Sequence, residues 1–166
     1  FGGKIHGGIL LSLMDKVAYV CASRHSATYC VTVSVDGVDF LQPVDVGDLV
    51  SLKASVNHVG RTSLVVGIQV SAENVRQAIV KHTNTSYFTM VARDEDGRPV
   101  VVPPLVLESD DDIRRFVTAS RRRRLGFRVR QRMETYREKF RFDDRTKAAL
   151  EGERCVIANT AGLQRR

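Results

Sequence analysis

Residues 3–15 of the chain read GKIHGGILLSLMD. A pair of glycines precedes the apolar half of this stretch, and the chain from Ile9 to Arg24 then contains neither Gly nor Pro. Apolar residues recur in that range at helical spacing, and further apolar residues occupy the remaining sides. The pattern therefore predicts a helix that is apolar nearly all round, which is typical of a buried helix.

Asp15 interrupts this apolar helix in its second to third turn. Burying an ionised carboxylate without partners is costly, so a carboxylate in such a place is a candidate functional group. The alternative is that Asp15 lies on a narrow solvent-exposed stripe with Ser12 and Lys16. The helical pattern by itself favours neither interpretation.

The glycines at the start of the helix, Gly7 and Gly8, offer a second candidate group. Free backbone N–H groups and the positive end of the helix dipole suit a developing oxyanion. Asp15 follows about two turns later on the same helix. An N–H donor and a carboxylate are two parts of an acyl-transfer site. Paired glycines are also common in tight, closely packed turns, which is the structural alternative.

Four strand-like runs follow the helix, each alternating apolar and polar residues, with turn signals between them. They centre on Val31–Asp36, Val50–Asn57, Leu64–Ser71 and Ile79–Arg93. Short connections favour antiparallel neighbours. The order of one buried helix and then a meander of strands predicts an α+β fold.

A second helix is expected after the sheet, which Pro103 and Pro104 end. Ser109 is suited to an N-cap, and the three aspartates that follow it suit the positive end of a helix. We expect this helix to run from about Asp110 to about Tyr136.

Charge is divided unequally along the chain. The formal net charge is +7, yet residues 1–118 sum to −2 and residues 119–166 to +9. Any nucleic-acid binding must therefore depend on the basic end alone. We expect a domain at 1–108, a basic helical extension at 109–142 and a poorly ordered tail at 143–166.

The composition points to a protein of the cytoplasm. The 166 residues suit one ordinary domain. No apolar run of 18 or more residues predicts a membrane span, so no membrane partner is expected. The three cysteines are far apart and odd in number, which favours a reducing compartment. The histidines have no cysteine or carboxylate at metal-ligand spacing, so we expect no metal site.

Several motifs in order resemble the hotdog-fold acyl-CoA thioesterases, and within them the cytosolic long-chain acyl-CoA thioester hydrolases. Besides residues 3–15, they are Ala22–His25, Val31–Asp36, Phe40 with Pro43, Val59–Ser63, Phe88–Ala92 and Val102–Leu105. The resemblance covers roughly residues 1–118, and the ordered set makes it specific. It implies a hotdog fold, a long central helix wrapped by an antiparallel sheet, here with a C-terminal helical extension. Members of that family often have a polar asparagine just upstream of the glycine loop, at a position before Phe1, and a first strand that is either absent here or lies before Phe1.

The resemblance assigns roles to residues of the helix and the loop before it. Asp15 falls on the catalytic aspartate of that family, and Gly8 or Gly7 on the backbone donor for the thioester carbonyl. His6 falls where a histidine helps to shape the loop at the substrate. The family's site lies between two subunits, so a homodimer is the minimal unit and a trimer of dimers is the further expectation.

Further binding residues are expected on the sheet. By resemblance, Arg61, Thr62 and Ser63 fall on a turn associated with the nucleotide part of coenzyme A. An exposed arginine in a turn is otherwise a solvated surface charge. Asn84 is polar in a strand that should be central, so it either lines the site or is a satisfied core amide.

The activity that the resemblance implies is hydrolysis of acyl-CoA to free fatty acid and coenzyme A, a reaction of fatty acid metabolism. Asp15 would activate water or attack directly, and no metal or redox cofactor is implied. One alternative is a hydratase or dehydratase of acyl thioesters, which would need a histidine paired with a carboxylate. The other is a nucleic-acid-binding protein that uses the arginines from Arg121 to Arg132.

Overall fold

The computed structural model describes residues 2–157 of the chain. Its elements are α1 (Gly7–Ser26), β1 (Tyr29–Asp36), β2 (Leu49–Val59), β3 (Ser63–Asn74), β4 (Ile79–Arg93), α2 (Asp110–Lys139) and α3 (Asp144–Leu150). The chain divides into two compact units, the first ending at Arg123 and the second beginning at Arg124. No helix within residues 2–157 is long and apolar enough to cross a membrane.

The four strands form one antiparallel sheet in the order β1-β4-β3-β2. The predicted combination of a long helix, an antiparallel sheet and a C-terminal helix is confirmed. The strand order differs from a simple meander, because β1 pairs with β4 instead of β2. Residues 37–48 form a connection long enough to carry the chain from one edge of the sheet to the other. The long strand β4 therefore lies between β1 and β3.

Helix α1 packs one side against the sheet. Its buried residues recur every four positions and are Leu10, Met14, Ala18 and Ala22. The prediction of a helix buried nearly all round is wrong for this chain, since Ile9 is 53% and Val20 52% exposed. A single sheet covers one side of a helix only, and among residues 2–157 nothing buries the opposite apolar side of α1.

The opposite face of the sheet is contacted by the start of α2, within the first unit. The Phe116 ring stacks on His58 with 4.7 Å between ring centroids. Arg122 lies over the Tyr87 ring at 4.3 Å from its centroid. The predicted start of the helix is correct, and the Asp112 N–H donates to Ser109 Oγ at 3.2 Å.

Helix α3 lies in the segment that was expected to have little regular order. Asp143 caps it by accepting a hydrogen bond from the Thr146 N–H at 2.8 Å. This local cap was missed because the apolar pattern of the segment is weak. The end of the predicted tail, residues 158–166, lies outside the described residues.

Candidate active site

The Asp15 carboxylate lies beside the edge strand β1. Thr32 Oγ1 donates a hydrogen bond to Asp15 Oδ1 at 2.6 Å. Of the two interpretations of this residue, the structure shows the solvent-exposed one, because Asp15 is exposed, as are Ser12 and Lys16. Asp15 extends from the side of α1 that reaches past the core toward the sheet edge. Sequence reasoning missed Thr32 as a site residue, since nothing in its strand pattern distinguishes it from the other polar positions.

Asp15 and Thr32 line a groove of about 490 Å³ between α1 and β1. The other lining residues are Lys16, Tyr19, Val20, Tyr29, Cys30, Val31 and Met90. The rings of Tyr19 and Tyr29 contact each other in this groove, with 5.6 Å between their centroids. A mostly apolar groove with one carboxylate suits a substrate that carries an apolar chain next to a polar reacting group.

The glycine loop places a different set of polar groups at the start of α1. His6 is the N-cap residue, and its Nδ1 accepts the Gly8 N–H at 3.1 Å. Gly7 lies under the Phe40 ring, where an added Cβ would come within 3.0 Å of Cε2. A side chain at position 7 would therefore push Phe40 away. The Gly8 donor that was predicted to face the thioester is occupied by His6.

The two parts of the predicted acyl-transfer site are separated within one chain. Asp15 is seven positions after Gly8 in the helix, which corresponds to about 10 Å along the axis. Groups that act on one carbonyl carbon must approach it to about 3 Å. One chain therefore does not bring the loop donors and the carboxylate together.

The turn between β2 and β3 is tightly bonded through its backbone. The Gly60 N–H donates to the Ser63 carbonyl at 2.7 Å, and the Thr62 carbonyl accepts the Ala92 N–H at 3.0 Å. The side chain of Arg61 is exposed, and no carboxylate among the described residues pairs with it.

The strand register relates this turn to the carboxylate. Ser63 pairs with Val91 on β4, and Val91 pairs with Val31, the neighbour of Thr32. The turn and the Asp15–Thr32 pair are thus at the same end of the sheet. Two strand spacings, or about 10 Å, separate β3 from β1.

Asn84 is fully buried in the core and does not line the groove. Its Nδ2 lies 3.6 Å from Met14 Sδ and 3.4 Å from Ser86 Oγ. Its Oδ1 is buried and has no hydrogen-bond partner among the described residues. Of the two interpretations of this residue, the structure therefore shows the core position, but with its amide only partly satisfied.

An ion-pair network, which the sequence did not reveal, fixes the loop before α1. Asp45 bonds both Lys4 and Lys81, and Lys81 also lies 3.1 Å from Asp48. Hydrogen bonds from Lys4 and then Lys81 hold the pKa of Asp45 below its usual value. The same carboxylates raise the pKa of Lys81. No group of three metal-ligating side chains occurs among residues 2–157.

Comparison with known proteins identifies the family. Residues 2–79 match the model of the Thioesterase superfamily. The Helicobacter pylori protein VdlD is 46% identical over 128 residues, which are 77% of this chain and 73% of VdlD. A crystal structure of an acyl-CoA hydrolase from Bacillus cereus is 33% identical, with a TM-score of 0.76, over 85% of this chain and 86% of that one. The chain belongs to the acyl-CoA thioester hydrolase family.

Other solved structures place this hydrolase with the same family. The Staphylococcus aureus acyl-CoA hydrolase, solved with butyryl coenzyme A, coenzyme A and coenzyme A disulfide, is 31% identical with a TM-score of 0.71. The match covers 82% of each chain. The predicted hotdog fold and thioesterase family are both confirmed by these likenesses.

Proposed function

We propose that this hydrolase cleaves acyl-CoA to a free fatty acid and coenzyme A through the carboxylate of Asp15. The observation that carries the proposal is the Thr32–Asp15 hydrogen bond at the wall of an apolar groove. The threonine holds one carboxylate oxygen, which leaves the other to act on the substrate.

Two routes use this carboxylate without a metal or redox cofactor. In the first, Asp15 takes a proton from water while the water oxygen bonds to the thioester carbon. The C–S bond then breaks, and the thiolate of coenzyme A leaves and is protonated. In the second, an Asp15 oxygen bonds to the thioester carbon and the C–S bond breaks, so that the thiolate of coenzyme A leaves and is protonated. Water then hydrolyses the resulting anhydride to the free acid and the Asp15 carboxylate.

A relative supports the pairing of the aspartate with the threonine. The Staphylococcus aureus hydrolase has been solved with an aspartate replaced by alanine and, separately, with a threonine replaced by alanine. The two replaced positions are separated by 17 residues, as Asp15 and Thr32 are here. We infer that Asp15 and Thr32 form one functional unit in this chain.

The donor for the thioester carbonyl comes, in this proposal, from Gly7 or Gly8 of a second copy. The loop of one chain is too far from its own Asp15 for both to act on one carbonyl carbon. The exposed apolar side of α1, including Ile9 and Val20, supplies a surface for a second copy. A hexameric acyl-CoA thioesterase and a hexameric thioesterase from Yersinia pestis are among the solved structures that resemble this chain. A dimer is therefore the proposed minimal unit, and a trimer of dimers the proposed assembly.

Binding at the Gly8 N–H requires an exchange of partners. His6 Nδ1 holds that donor in the chain by itself. The substrate carbonyl must replace His6 Nδ1 at that N–H, which changes the position of the histidine in the loop. This exchange gives His6 the loop-shaping role that the resemblance implies.

The turn of Arg61, Thr62 and Ser63 is the proposed contact for the nucleotide of coenzyme A. An exposed guanidinium without a carboxylate partner suits a phosphate, which it can bind through two hydrogen bonds. The proposed compartment is the cytoplasm, since the three cysteines are free thiols.

Hydration of an enoyl thioester is disfavoured by the same geometry. Such a reaction would need a histidine paired with the carboxylate, whereas Asp15 is paired with Thr32. A thiol-release assay across acyl-CoA chain lengths, run beside an enoyl-CoA hydration assay, tests the proposal. We expect thiol release without hydration. Hydration without thiol release would contradict the proposal.

A further inference from the structure

The second unit exposes an amphipathic helix, residues 124–139 of α2. Apart from Phe127, its large apolar residues fall within an arc of about 80° at about 100° per residue. They are Leu125, Val129, Met133 and Tyr136, and the Phe140 ring follows 6.2 Å from that of Tyr136. Each of the five is at least 46% exposed. We call these five residues the apolar stripe.

Cationic side chains border the apolar stripe on both sides. These basic margins are Arg128, Arg132 and Lys139 on one side and Arg130 and Arg137 on the other. All are exposed, and none forms an ion pair with a carboxylate among the described residues. The acidic residues of the segment, Glu134 and Glu138, lie toward the opposite side of the helix. The apolar stripe is therefore bordered on both sides by positive charge only.

We propose that residues 124–140 bind an anionic lipid surface and lie in its plane. The apolar stripe enters the interface, and the basic margins lie at the level of the lipid phosphates. A hollow of about 470 Å³ beside Tyr136 is lined by Arg128, Gln131, Arg132, Thr135 and Lys139. Three cations, an amide and a hydroxyl with no carboxylate suit a phosphate headgroup. The proposal is independent of the hydrolytic function and replaces the expectation of no membrane partner with attachment at the surface.

Charge argues against a second copy of the stripe as the occupant. Both margins are basic, so two copies would bring cation against cation in either orientation. Nucleic acid is disfavoured for a different reason. It would pair with the cations but leave five apolar side chains in water, whereas an anionic lipid surface accepts both.

Vesicle flotation of the full chain tests the proposal. The probes are vesicles of phosphatidylcholine alone and of phosphatidylcholine mixed with phosphatidylglycerol, at low and high salt. We expect the protein to float with the mixed vesicles only and to be released by salt. The double variant Val129→Gln/Met133→Gln should bind these vesicles about tenfold more weakly or worse.

A matched control is available on the same helix. Phe127 is 61% exposed and lies on the opposite side from the stripe. Phe127→Gln should therefore float as the parent does. A second variant, Arg128→Gln/Arg132→Gln, should lose the preference for phosphatidylglycerol without any change to the stripe. Circular dichroism checks that each variant keeps its helix content.

Each of the following results would overturn the proposal. One is equal flotation with both kinds of vesicle, or flotation that the double stripe variant does not alter. A second is salt-sensitive binding of duplex or single-stranded nucleic acid by a chain that does not float. The third is a smaller mass in light scattering for the double stripe variant than for the parent, which would make the stripe an interface between copies.

Discussion

The two units use their charged residues in different ways. In the first unit, Asp15 accepts a hydrogen bond from Thr32, and Asp45 is held by Lys4 and Lys81. In the second unit, the basic margins have no carboxylate partner among the described residues. Catalysis by groups held at fixed positions should be sensitive to conservative substitution. Binding by a charged apolar surface should instead depend on its total charge and its apolar area. We therefore predict that substitutions can abolish thioester hydrolysis without changing vesicle binding, and the reverse.

The largest effect among residues that support the site is expected at Thr32. Thr32→Val keeps the shape but removes the hydrogen bond to Asp15. A hydrogen bond to a charged group contributes about 1.5–3 kcal/mol, so kcat should fall about tenfold to a hundredfold. Steady-state kinetics on acyl-CoA measures this effect.

Thr85→Val is the matched control for that experiment. Thr85 is an exposed threonine on β4, in the groove on the other face of the sheet. The Thr85→Val substitution should leave kcat unchanged, and vesicle flotation should be the same for Thr32→Val and Thr85→Val. A normal kcat for Thr32→Val would show that the threonine does not support the carboxylate.

Arg61→Ala tests the proposed contact with the nucleotide. Loss of one phosphate contact of about 1.4 kcal/mol should raise KM for acyl-CoA about tenfold. The Arg61→Ala variant should hydrolyse a short thioester that lacks the nucleotide at the same rate as the parent. Arg76→Ala, which removes an exposed arginine from the β3–β4 turn, is the control. Equal effects of Arg61→Ala on both substrates would assign Arg61 a structural role.

A chain that ends after Arg123 tests the separation of the two units. All proposed site residues precede this point, and the truncation keeps the contacts of Phe116 and Arg122 with the sheet. Hydrolysis should stay within about threefold of the parent, while vesicle flotation is lost. A soluble, folded truncation without activity would make the second unit part of the site or of the assembly.

The smallest effect is expected from His58, and it depends on pH. Burial and then the charge of Arg123 lower the pKa of His58 from 6.5. As the pH falls below about 6.5, the unfolded chain therefore takes up this proton more readily than the folded chain, and stability declines. His58→Phe keeps the stack on Phe116 but removes the titrating group. Urea unfolding at neutral and mildly acidic pH should show a smaller loss of stability for the variant, and identical losses would contradict the prediction.

Local patterns predicted the elements of the fold well. The strand-like runs, the start of α2 at Ser109 and the helix after Gly7 all depend on residues that are close in sequence. The pairing of β1 with β4 was missed because it joins strands far apart in sequence, and no local signal records it. Helical spacing likewise shows which residues of α1 share a side, but it cannot show which sides the sheet leaves exposed.

The same limit applies to the candidate site. Asp15 was identified from its place in an apolar helix, although the reason given, burial, is not what the structure shows. Its partner Thr32 is 17 residues away and looks like any polar strand residue. The bond between His6 and Gly8 is local, yet a histidine N-cap has no strong sequence signal. Contacts between residues that are far apart in sequence depend on tertiary packing, so local sequence patterns do not predict them.

The kcat of Asp15→Asn on a saturating acyl-CoA tests whether Asp15 is the catalytic group. The substitution keeps size and polarity but removes the base, so kcat should fall by about 10²–10⁴-fold or more. The melting temperature should persist because Asp15 is exposed and outside the core. Asp96→Asn, in an exposed turn, should hydrolyse as the parent does. An Asp15→Asn variant that hydrolyses acyl-CoA within about threefold of the parent would show that this carboxylate is not the catalytic group.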